Sequence, residues 1–282
     1  MPLFDSFLYD SGLYDTATSA GGASPSTDML VFEGYSLANN STIILQNPGI
    51  KGPTRELLTG PIPRRDGMWI SGVFFRNAVL EPFGLLRTSS VAELEALIDE
   101  INGNLTEREG NLDYTRLDGT VRRYRATMTA FDALFAERQH FHITACPWKA
   151  RFECLTPFAE DREYTTTTVM IGTSPFNQDV QNVGTIDAQP VIYLNFDAAS
   201  GVTAASVKNL TTGEEVEYSG ALVAGDILIF DSEQTSVSLN GVVKKFAGSL
   251  PSLQKGGNLL QLSFIGTSAA ITATLKWKPR YL

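Results

Sequence analysis

The sequence predicts a mainly β protein, with an N-terminal β-sandwich-like sheet carrying one packed α-helix and a C-terminal antiparallel β-sandwich. Three observations predict it. After the helix apolar and polar residues alternate with period two, and β-rich segments precede it. A single stretch, residues 91–102, carries helical periodicity together with helix-start signals. Turn residues recur at short intervals, with 24 glycines and 13 prolines among 282 residues, as many short strands require.

The first 28 residues join aromatic side chains (Phe4, Phe7, Tyr9, Tyr14) to a Gly/Ser/Thr/Ala-rich stretch. Too little apolar surface is present there to order the stretch by itself. Two readings stand equal: an aromatic arm docking on a neighbouring subunit, or an edge strand of the chain's own sheet. Residues 29–37 (MLVFEGYSL) read as a strand, and Asn39-Asn40 as a turn. Residues 47–67 contain Pro48, Pro53, Pro61 and Pro63, which predicts a long loop, of the kind that is usually functional or contacts a partner. Residues 68–76 (MWISGVFFR) return to strand character.

The helix is announced by Ser90 and Glu93, a capping-box pair ahead of the apolar run. Val91, Leu94, Leu97, Ile98 and Ile101 share one face, and Gly103 stands where a left-handed stop is wanted. Asp118-Gly119 then marks a hairpin between residues 112–117 and 120–131. A second hairpin places His140, His142 and Thr144 on one face and turns near Pro147. It returns with Trp148, Ala150, Phe152 and Cys154 alternating.

The threonine run at residues 165–168, with Pro175 and Gly184, marks a change of neighbourhood. Short β segments follow to the end, with tight-turn signals at Thr212-Gly213 and Asn240-Gly241 and no helix between them. The chain is thereby divided into residues 1–165 and 166–282, the break falling somewhere between residues 159 and 184.

Composition narrows the function. A net charge of −9 argues against a nucleic-acid binder, which would show a basic footprint. Cys146 and Cys154 are too few for a disulfide framework or a zinc site, so buried free thiols are expected. No signal-peptide pattern opens the chain, and no apolar run approaches the roughly 20 residues needed to cross a bilayer. Synthesis and folding in a cytoplasm are therefore expected.

Catalytic signatures are absent from the sequence. There is no P-loop, no dinucleotide fingerprint and no G-x-S-x-G elbow. His140 and His142 share a strand side without a third ligand at a recognisable spacing, and no acid pair stands out among 31 carboxylates. No catalytic residue, metal site or cofactor is predicted. Two sets of residues qualify for binding instead. Arg64, Arg65, Arg122, Arg123 and Arg125 form basic clusters in an acidic chain, suited to a subunit or partner interface or to charged outer positions that protect a sheet. Phe176 and Tyr218 lie beside turn-like residues and are the aromatics least fitted for core packing, hence the candidates for glycan contact.

Five stretches, RRDGMWISGVFF, VAELEALIDEINGNL, RRYRATM, HFHITACPWKARFECLTPFAED and the closing LKWKPRYL, occur in an order that resembles the distal tail family of siphophages. The resemblance implies a non-enzymatic virion protein at the tail tip, assembled in the host cytoplasm. It implies a homo-hexameric ring formed by the N-terminal domain, with a channel through which DNA passes without sequence-specific contact. The ring would join the tail tube protein to tip or baseplate hub proteins. A galectin-like C-terminal sandwich would stand outside, near receptor-binding proteins or host glycans. The alternative is a carbohydrate-binding β-sandwich module or adhesin; an enzyme with scattered site residues is a third reading.

Overall fold

The computed structural model describes residues 29–62, 65–105, 109–133, 144–266 and 268–282. The first half contains β1 (Leu30–Phe32), β2 (Tyr35–Ser36), β3 (Ile43–Asn47), β4 (Arg55–Pro61), β5 (Met68–Phe75), β6 (Val79–Leu80), β7 (Phe83–Arg87) and α1 (Val91–Asn104). It continues with β8 (Glu109–Thr115), β9 (Val121–Ala133), β10 (Ala145–Cys154) and β11 (Ala159–Asp161). One antiparallel sheet runs β2-β1-β8-β9-β10-β7-β3, with β6 beside β10 and β11 beside β9. Strands β4 and β5 stand apart as a two-stranded ribbon.

Period-two alternation does its work most plainly in β10. Cys146, Trp148, Ala150, Phe152 and Cys154 are all buried while their neighbours face outward. Phe152 packs on Phe32 at 5.3 Å between ring centroids, and Trp148 stacks on Phe131 at 6.0 Å. Leu94 and Ile101 bring the apolar stripe of α1 onto this core. Burial pushes the Cys154 thiol up to about 12 and raises that of Cys146, so neither is a ready nucleophile. Gly84 is required where β3 and β7 meet: a Cβ there would lie 1.9 Å from the Ile44 carbonyl oxygen.

Several expectations are corrected. Residues 29–37 are not one strand, because Glu33 and Gly34 take φ of 48° and 84° and fold the segment back as β1–β2. Residues 47–67 are not a featureless loop. Among the described prolines of this segment only Pro61 lies within a strand, at the last position of β4 opposite Met68, where it leaves the ribbon's ladder intact; Pro63 falls outside the described residues. Pro147 lies inside β10 opposite Leu85 rather than in a turn; the described ladder to β9 begins only at Trp148, and its missing N–H is tolerated there. The capping box is present, with the Glu93 amide donating to Ser90 Oγ at 3.3 Å, but the reciprocal carboxylate takes the Ser89 amide and hydroxyl. Gly103 does not stop α1, which runs on to Asn104 before Leu105 buries itself in the core. The His140 and His142 face falls outside the described residues.

The second half comprises β12 (Thr165–Ile171), β13 (Phe176–Asn182), β14 (Val191–Ser200), β15 (Val202–Asn209), β16 (Glu215–Leu222) and β17 (Ile227–Asp231). Then come β18 (Ser236–Leu239), β19 (Val242–Lys244), β20 (Ala247–Gly248), β21 (Gly256–Ile265), β22 (Ser268–Trp277) and β23 (Arg280–Tyr281). Two antiparallel sheets, β12-β22-β14-β17-β18-β19 and β13-β21-β15-β16-β20, enclose a second core that includes Phe196, Phe230, Leu275 and Trp277. The expected sandwich is present. The threonine run is the start of edge strand β12, paired with β22, where β-branched side chains suit the pleat. Asn240 and Gly241, at φ 52° and 78°, turn β18 into β19 as expected. The last strand, β23, leaves the sandwich and pairs with β11 beside the first sheet. Among the described residues no helix is long and apolar enough to cross a membrane.

Phe152→Ala empties the centre of the first core and is expected to cost about 3–5 kcal/mol, read as a lower urea midpoint; a change under about 1 kcal/mol contradicts this packing.

Candidate functional site

Two features stand out: the exposed β4–β5 ribbon, and the intrachain junction that ties β23 to the first sheet. The ribbon's register is Arg55↔Phe75, Glu56↔Phe74, Leu57↔Val73 and Leu58↔Gly72, then a bulge, then Thr59↔Ile70, Gly60↔Trp69 and Pro61↔Met68. Directly paired residues share a face. One face therefore carries Leu57, Val73, Ile70 and Met68, between 52% and 70% exposed. The other carries Leu58, Phe74 and Trp69, between 51% and 55% exposed.

Glycines shape that second face. A Cβ on Gly60 would lie 2.6 Å from Trp69 Nε1, and one on Gly72 would lie 3.0 Å from the Phe74 ring. The two glycines let the rings lie along the ribbon. The root is secured by Phe75 packing edge-on against Phe158 at 5.5 Å and by the paired contacts of Arg76 with Glu56 at 2.8 and 3.0 Å. No other described strand pairs with the ribbon. Consecutive apolar residues such as Met68-Trp69-Ile70 signal an element apolar on both faces; the sequence alone places such an element in a core, whereas here it stands in the open.

The predicted arginines are scattered. Arg64 lies outside the described residues, and Arg65 sits exposed at the ribbon's tip. Arg123 is gripped by both carboxylate oxygens of Asp113, at 2.7 and 2.8 Å, which pushes its guanidinium pKa further up. Arg125 pairs with Glu109 on the surface. Arg122 departs most clearly from an open surface position, because it is engaged within its own chain. Its guanidinium bonds Asp161 and lies 3.4 Å from the centre of the Tyr281 ring. Tyr281 donates its hydroxyl to Asp161 at 3.0 Å, and burial followed by that carboxylate raises its pKa.

Beside this cluster Arg280 bonds Glu160 and Gln189, each at 3.0 Å. Its carbonyl accepts from the Thr185 amide at 2.8 Å. A Cβ on Gly184 would meet that carbonyl oxygen at 2.6 Å, so glycine permits the close approach. The final residues thus bind the sandwich's entry segment and the first sheet at once.

Of the glycan candidates, Tyr218 is corrected. It is 7% exposed and belongs to the second core, because it lies on the inward-facing side of β16, so its ring offers no open stacking face. Phe176 is half-buried against the same core. Among the described residues no three His, Cys, Asp or Glu side chains converge as metal ligands.

Arg122→Lys removes both the planar stack on Tyr281 and the guanidinium geometry at Asp161. It is expected to cost about 1–2 kcal/mol by thermal or urea unfolding; a variant as stable as the parent would show that the junction carries no load.

Residues 183–281 match the family model described as Siphovirus-type tail component, C-terminal domain. No curated protein matches the sequence. Among solved structures, the Dit protein of phage SPP1 shares the fold with TM-score 0.68 at 15% identity, over 90% of this chain and 99% of that one. A chain of the phage p2 baseplate in its activated conformation aligns over 89% of this chain and 90% of its own at 10% identity, with a TM-score of 0.40, too low to carry an argument. The resemblance to siphophage distal tail proteins is thereby borne out: residues 183–281 match the C-terminal domain of a siphovirus-type tail component, and the described chain shares the fold of SPP1 Dit.

Proposed function

We propose that the protein is the distal hub of a long, non-contractile phage tail. Six copies close into a ring through residues 1–165, and residues 166–282 stand outward. The ring joins the tail tube to tip or baseplate proteins and to the proteins that adhere to the host, and it resides at the tip of the virion after assembly in the host cytoplasm. Its role is structural.

The observation that carries this reading is the tail-component domain at residues 183–281, set in a chain with the fold of a protein described as a paradigm of hub adsorption apparatus in phages infecting Gram-positive hosts. Physical chemistry supports it from a second side. A hub needs wide complementary surfaces rather than a pocket, and a head-to-tail contact that closes on itself. The apolar β4–β5 ribbon is a surface of that kind. A net charge of −9 suits a channel that lets DNA pass without holding it.

Light scattering on the purified chain, alone and with the tail tube protein, tests the proposal. The expected mass is six times the 30.7 kDa of one chain, with the tube protein retained on the assembled species. A monomer at every concentration, with and without the tube protein, contradicts it.

A further inference from the structure

We infer that the free edge of β12 receives an extended, uncharged strand of a different protein, which lengthens the six-stranded sheet of the sandwich by one strand. Strand β12 (Thr165–Ile171) ends that sheet on one side and pairs with β22. Among the described residues no strand pairs with its other edge. Its register runs from Thr165↔Trp277 to Ile171↔Ile271 without a bulge. The seven residues, TTTTVMI, include no charge and no proline. Thr166 and Thr168 are exposed on its outward face, and Met170 beside them is 80% exposed.

Open edges invite pairing, and folded proteins protect them with charges, prolines, bulges or brevity. The sandwich's other three edge strands carry such protection. Strand β13 holds an exposed Asp179 at its middle position. Strand β19 has three residues and ends on Lys244, and β20 has two, ending on Gly248 at φ 85°. Strand β12 has none of these devices. A bare row of N–H and C=O groups is satisfied by another extended backbone, whose main chain supplies the affinity. Seven residues span about 24 Å, and every second one turns its N–H and C=O outward, which offers about six to eight hydrogen bonds.

The chemistry around the edge describes its partner. Thr167, Val169 and Ile171 point to the core side, with Ile171 buried and Val169 half-buried. Phe176, at the start of β13, is half-buried against the same core. An incoming strand with apolar residues at alternate positions continues that core past Val169, and its other side needs no charge to face Thr166, Thr168 and Met170. The choice of a different protein over a second copy rests on the ring reading above. Identical edges pair about a two-fold axis, whereas neighbours in a closed ring meet head to tail.

The probe is an uncharged heptapeptide of alternating valine and serine with a fluorescein label, added to the full chain. Binding is read by fluorescence anisotropy and amide exchange by NMR. Saturable binding of one peptide per chain is expected, with slowed exchange at those amides of Thr165–Ile171 that face away from β22. The same peptide with every amide N-methylated has no donors for the edge and is expected to bind about tenfold more weakly or worse. Thr167→Lys, which aims a charge at the rim beside Val169, is expected to weaken binding of the parent peptide to about the same extent, its fold verified by an unchanged urea midpoint. Absence of saturable binding, or binding that N-methylation and Thr167→Lys both leave unchanged, overturns the inference. Slow exchange along the free edge before any peptide is added shows the edge filled by its own chain and overturns it too. A dimer of the chain abolished by Thr167→Lys assigns the edge to a second copy, with the same consequence. The mass of the assembled chain judges the ring reading separately, so the two failures are distinguishable.

Discussion

Strand β9 is the constraint on which the rest of the molecule depends. Thirteen residues long, it pairs with β8 over Val121–Thr127, with β10 over Ala126–Ala133 and with β11 at Arg122 and Arg123. One end supplies Phe131 to the Trp148 stack in the first core. The other end supplies Arg122, which holds Asp161 and Tyr281 and so joins the chain's last strand to its first sheet. Disturbing β9 therefore disturbs both the packing of the N-terminal unit and the hold on the sandwich.

The junction is built from groups that satisfy one another within the chain. Arg122 and Arg280 bond Asp161 and Glu160, side by side on β11, while the carbonyl of Arg280 serves the segment that enters the sandwich. Guanidinium groups suit this because they keep their charge at partial burial and combine planar stacking with fixed donor geometry. The β4–β5 ribbon follows the opposite logic: among the described residues most of its large apolar side chains stay about half exposed or more.

Much of the fold was legible from residue order. Alternation in β10 and across the sandwich strands, the Ser90 cap of α1, and the turns at Asp118-Gly119 and Asn240-Gly241 are local signals, and each appears in the structure. What was not legible depends on contacts far apart in sequence. Prolines in residues 47–67 concealed β4, since nothing local tells that Pro48 and Pro53 lie outside the ladder. Arg122 read as a surface cation because its partners, Asp161 and Tyr281, stand 39 and 159 positions away in the sequence. Tyr218 read as exposed because turn-like neighbours suggested an edge, whereas strand parity turned its ring inward. The ribbon's residues were visible as apolar, but their exposure depends on how distant parts of the chain pack.

The most direct test of the central claim is electron microscopy of the purified chain, with class averages taken in projection down any symmetry axis. A closed ring of six copies is the predicted result. Single chains, or closed assemblies of another copy number, would contradict it.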